Sequence, residues 1–127
     1  MRALAAALAL CACAAAATPV LSQPRTCPGT GISVEGADPG LAARICRVAS
    51  ATAERLSRCG LPLDGPVKIA VVSALPEGCT GLYHCGARQI EVLAPAALAP
   101  ARRADTAFAA IPEARYFDGI VAHEIAH

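Results

Sequence analysis

Five cysteines, Cys27, Cys46, Cys59, Cys79 and Cys85, are spread through a stretch that has little else to hold a fold together. Ala accounts for 31 of the 127 residues, so much of the 55% hydrophobic fraction is methyl groups rather than large core side chains. The aromatic side chains are limited to Tyr83, Phe108, Tyr116 and Phe117. At roughly 25 cal/mol per Å² of apolar area, such a composition buries little per residue. Disulfides, at about 2–4 kcal/mol each, are the expected source of the missing stability. They persist only in an oxidising compartment, so this reading requires export.

The first 22 residues supply it. Arg2 precedes residues 3–17, which hold ten alanines and no charge, Gly or Pro, and residues 18–22 are more polar. A basic start, an apolar middle and a short exit region are the layout of a secretory signal peptide. Val20 and Ser22 occupy the small-residue positions before a cut, leaving residues 23–127 as one small domain. An exported protein, periplasmic or extracellular, is expected. Leu10-Cys11-Ala12-Cys13 loosely matches a lipoprotein cleavage site at Cys13, but the cut after Ser22 accounts better for residues 18–22. No later stretch has the ~20 consecutive apolar residues of a transmembrane helix. Without Arg2 the charges balance, and neither a basic stripe nor an acidic block remains, which argues against a nucleic-acid partner.

Five is an odd number of cysteines. One thiol is free, or pairs with another chain, or pairs with a cysteine beyond residue 127. Cys79 and Cys85 enclose a short Gly-containing loop and are the expected pair, while connectivity among the others stays open. The absence of a CxxC pair makes a Cys-based zinc site the weaker reading.

Residues 23–36 read as an extended lead-in tied down by Cys27. Asp38-Pro39 is a helix start, the carboxylate capping and Pro in the first turn. Leu41, Ile45, Val48, Thr52 and Leu56 then recur at steps of three or four, a helical stripe that Gly60 ends. The β-branched run Val67–Val72 is a strand, residues 76–87 a loop or tight hairpin, and the alternating residues 88–93 a second strand near a sheet edge. A short helix is expected over residues 102–110. The class is α+β, with a scaffold helix and a short β-sheet preceding a last helix that Asp118 caps before Gly119, with Glu113 in the approach turn.

That last helix carries His123-Glu124-Ile125-Ala126-His127, an HExxH pattern. Residues four apart on a helix are about 40° apart in azimuth and ~6 Å apart along the axis. His123 and His127 thus present two imidazoles on one face, able to share a tetrahedral zinc ion. Glu124 is one position on and reaches a water at the metal without being a ligand, as the general base that water-driven attack on a carbonyl requires. Ile120, Val121, Ile125 and Ala126 are uncharged, so the helix is expected to be buried on its other sides.

With this motif at the end of a helix–strand–strand–helix order, the chain resembles the zincin metallopeptidases. The outline covers roughly residues 41–127, although only His123, Glu124 and His127 carry a specific motif. It is also loosely similar to small exported bacterial proteins with paired cysteines before an HExxH helix. The resemblance implies hydrolysis of a peptide or protein substrate, with Zn2+ as cofactor. It implies that residues 88–93 form the cleft-edge strand that pairs with extended substrate. It also implies a third protein ligand from beyond the second histidine. The expectation is therefore an N-terminal part of a longer peptidase domain, inactive as it stands, with weak zinc binding at a fraying helix end. His84, beside Cys85, reads as a solvated loop histidine rather than that third ligand. The competing expectations are a non-catalytic, disulfide-stabilised exported binding domain and a degenerate peptidase.

Overall fold

The computed structural model describes residues 23–104 and 106–127; residues 1–22, where a signal peptide is expected and where Cys11 and Cys13 fall, lie outside the described residues. In chain order the elements are β1 (Arg25–Thr26), β2 (Ile32–Glu35), α1 (Pro39–Arg58), β3 (Val67–Val72), β4 (Gly81–His84), β5 (Gln89–Leu93), α2 (Pro95–Ala104) and α3 (Glu113–Ala126). The fold is α+β: a five-stranded mixed sheet with three helices among the described residues.

Local chemistry sets both ends of α1. The Asp38 carboxylate accepts from the Leu41 N–H at 2.9 Å, satisfying one of the donors that a helix start leaves without an intrahelical partner. At the other end Gly60 turns left-handed at φ +78°. Leu61 N–H then bonds back to Leu56 O at 2.9 Å and Gly60 N–H to Ser57 O at 3.0 Å, the paired closure of a Schellman motif. The expected helix is present, with Ala42, Ile45, Cys46 and Ala49 as its buried face.

The sheet order is β1-β2-β3-β5-β4. β2 and β3 are parallel with α1 as the crossover, β3 and β5 are parallel, and β4 and β5 form an antiparallel hairpin. Register aligns Ile32 with Val67, Val34 with Ile69, Ile69 with Ile90, and Val71 with Val92. Because side chains alternate along a strand, these residues make one aliphatic face, and it joins α1 and α3 in a single core. The opposite face is more polar and carries the ion pairs Lys68–Glu35 at 3.1 Å and His84–Glu91 at 3.0 Å. Two expectations change here. The lead-in contains a strand, β2, in the interior of the sheet. The strand over residues 89–93 is also interior, and β4, which lies in the stretch expected to be a loop or tight hairpin and pairs with β5 as a hairpin, is the edge.

Phe117, Val121 and Ile125 form the buried stripe of α3, and each such burial is worth about 1.5–3 kcal/mol. The helix packs on α1, β4 and β5. Ala126, expected to be buried, is exposed. Arg44 of α1 locks the two helices together. Its Nε donates to Asp118 Oδ1 at 2.8 Å, a second guanidinium nitrogen donates to Ala114 O, and its charge lies 5.0 Å from the Phe117 ring centre. Asp118 is therefore not a cap: α3 begins five residues earlier, at Glu113 after Pro112. The helix expected over residues 102–110 lies mostly upstream of that range: α2 starts at Pro95, in the first helical position where a missing N–H costs nothing, and ends at Ala104, with residues 106–110 in turns.

Cys27 and Cys46 are bridged, tying the lead-in to the middle of α1. Cys59, Cys79 and Cys85 are free thiols, so the expected Cys79–Cys85 pair does not form. The reason is the strand between them. β4 separates the two cysteines, and its four extended residues alone span about 10 Å, beyond the ~7 Å between Cα atoms that a disulfide tolerates. No helix among the described residues is long and apolar enough to cross a membrane.

Candidate functional site

α3 presents two stripes with different partners. Phe117, Val121 and Ile125 face the core, while Tyr116, Ile120, His123 and His127 follow one another at three- and four-residue steps along the other side. His123 and His127 are exposed, and their Nε2 atoms lie 3.0 Å apart with the rings nearly perpendicular. In the neutral pair one ring nitrogen donates to the other. His127 is the C-cap residue, and its N–H is held by Glu124 O at 3.3 Å, a tightened last turn that keeps the second imidazole beside the first.

Glu124 belongs to the boundary between the stripes. At 7% exposure it is the buried charged residue among those described. A carboxylate at that depth needs room, and the sheet makes it at Gly81. Gly81 pairs with Val92, so its missing side chain would point to the face that α3 covers. A Cβ there would stand 2.6 Å from both Cγ and Oε1 of Glu124. Only a strand residue without a Cβ lets this glutamate lie against the edge strand. In the sequence Gly81 falls in a stretch that reads as a loop or tight hairpin, so nothing there marks it as a strand glycine that another group approaches closely.

Glu124 and His123 open onto a cleft of about 520 Å³ between the start of β4 and the outward side of α3. Cys79, Phe108, Ile111, Tyr116, Gly119 and Ile120 complete most of its lining. The segment bearing Phe108 and Ile111 is held by Arg102, whose Nη1 donates to Ala109 O at 2.9 Å and Ile111 O at 2.7 Å. Phe108 rests on Tyr116 with ring centres 5.4 Å apart. Sequence reasoning singled out none of Gly81, Arg102 or Phe108 as contributors to a site.

The donor set suits a borderline-soft divalent ion. Zinc–nitrogen bonds of ~2.0–2.1 Å in a tetrahedron put two ligand nitrogens about 3.3 Å apart, close to the observed separation of the imidazoles. Among the described residues no third His, Cys, Asp or Glu joins them. His84 is not near: it is exposed at the end of β4, on the sheet face turned away from α3, bonded to Glu91.

The fold and site together define an α+β domain whose last helix offers paired imidazoles and an adjoining carboxylate beside a sheet edge. The chain belongs to the DUF6639 family, a family of unknown function, whose model matches residues 32–127 and so takes in every element from β2 to α3. No curated protein and no solved structure matches it.

Proposed function

We propose that this protein is an exported zinc-dependent peptidase, with His123 and His127 as metal ligands and Glu124 as general base. The observation that carries the reading is the convergence of the His123 and His127 Nε2 atoms, 3.0 Å apart, beside a carboxylate that a glycine in the edge strand makes room for. Zinc at that position supplies Lewis acidity toward a carbonyl and makes water acidic enough to react near neutral pH. Glu124, in the cleft yet short of full solvation, accepts the proton from the attacking water and delivers it to the departing amine. The edge of β4 offers unpaired backbone groups to an extended peptide, the role first expected of residues 88–93. Export is supported by the signal-like composition of residues 1–22 and by the Cys27–Cys46 bridge. Such a centre is completed by a third donor, which the described residues do not supply.

The test uses the full-length protein. Metal analysis is expected to give one zinc per chain, lost in His123→Ala and in His127→Ala. Glu124→Gln is expected to keep the metal and lose peptide cleavage by about 10²–10⁴-fold. Zinc content indifferent to both histidines, or full activity in Glu124→Gln, overturns the proposal. A second reading, a non-catalytic disulfide-stabilised binding domain, draws on the same Cys27–Cys46 bridge. It expects a thermal melt that zinc does not move, whereas the peptidase reading expects zinc to raise it.

A further inference from the structure

We infer that the cleft beside Glu124 is a pocket for one bulky apolar side chain, leucine or phenylalanine, of the residue next to the bond that is cut. The placement of that bond rests on the peptidase reading; the character of the pocket does not.

Four observations converge on it. The cleft's volume, about 520 Å³, lies within the ~300–1,000 Å³ range of small-ligand pockets, and Phe108, Ile111, Tyr116 and Ile120 give it apolar walls. Phe108 is 41% exposed, one of two large hydrophobic side chains left in solvent among the described residues, and it stands at this cleft rather than at a helix end. Its segment is pinned by the two Arg102 hydrogen bonds to Ala109 O and Ile111 O, so the apolar wall is held in place instead of collapsing onto the core. Gly119 interrupts an otherwise good helix at the cleft, and nothing lies within 4 Å of where its Cβ would be. A helix-interior glycine costs about 1 kcal/mol relative to alanine, and here its effect is open space.

The two charged groups of the lining, Glu124 and Arg115, are of opposite sign, so charge selects neither an acidic nor a basic occupant, and the apolar walls decide.

The experiment uses blocked hexapeptides of alanine and glycine with a single variable residue X, set to Leu, Phe, Ala, Lys or Asp. Cleavage by the zinc-loaded full-length protein is followed, with product masses locating the bond. The Leu and Phe peptides are expected to be cut at a bond flanking X, with kcat/KM at least about tenfold above the Ala peptide. Phe108→Ala and Ile111→Ala, checked by thermal melt for retained folding, are each expected to shrink that gap to under about threefold. Equal rates across the series, a preference for Lys or Asp, or a gap that survives both substitutions overturns the pocket and leaves the peptidase reading standing. Should no peptide be cut, the peptidase reading falls, and calorimetric titration of the same peptides decides the pocket separately. Tighter binding of the Leu and Phe peptides, lost in Phe108→Ala, upholds it; equal affinities overturn it.

Discussion

Replacing Gly81 by alanine separates the fold from the chemistry. The added Cβ would lie 2.6 Å from Glu124 Cγ and Oε1 and 2.8 Å from Cδ. Carbon contacts are comfortable at about 3.5–4.0 Å, so the glutamate must retreat by about 1 Å. Two effects on stability oppose each other. Removing a glycine from a strand contributes about 0.5–1 kcal/mol, while crowding a packed region costs about 1–3 kcal/mol. The expected net cost is about 1 kcal/mol, or about 4–8 °C in Tm for a domain of this size. A catalytic group displaced by 1 Å loses about 10²-fold in rate. Differential scanning calorimetry and a peptide-cleavage assay on the same preparation measure the two quantities, with zinc content expected to be unchanged because neither histidine is touched. A folded Gly81→Ala protein with undiminished kcat/KM would refute the reasoning, since it would mean that Glu124 acts from a position the strand does not constrain.

Other perturbations are read in stability. Cys27→Ser opens a bridge between residues 19 apart in sequence, a loop worth about 3 kcal/mol, so Tm should fall by more than about 10 °C; an equal fall on adding reductant to the unmutated protein checks the cause. Arg44→Ala removes an ion pair whose side chains are 26% and 40% exposed, together with packing on Phe117, and is expected to cost about 1–2 kcal/mol in a denaturant titration. In a double-mutant cycle with Asp118→Asn the charge coupling itself should stay below about 1 kcal/mol. Gly119→Ala has room for its methyl group and should raise Tm, by about 1 kcal/mol of helix propensity; destabilisation there would show that the helix at this point depends on the glycine.

The parts of this fold that were legible in the sequence are those whose information is local. The α1 cap, its apolar stripe and its glycine stop lie within residues 38–60, and β3 is a continuous β-branched run. The pairing of the two histidines followed from helical spacing alone. β2 was not legible, because Ile32-Ser33-Val34-Glu35 is short and set between glycines, and what makes it a strand is parallel pairing with β3 across α1. The same kind of non-local partner misled the reading of Asp118, a plausible cap until Arg44, 74 residues away, claims it. Gly81 escaped for a related reason. Nothing near it in sequence reveals that a glutamate from α3 will lie against it.

The position of α3 has a consequence for the order in which the domain is made. The helix follows all five strands of the described residues, yet it packs on α1 and on the hairpin formed by β4 and β5, and its Phe117, Val121 and Ile125 belong to the same core. A chain delivered N-terminus first can close the bridge and pair its strands while Ile90 and Val92 still face water, and only residues 113–126 end that exposure. Covering those residues and bringing Glu124 against Gly81 are one event, so the paired imidazoles and their carboxylate come into register only once α3 has docked.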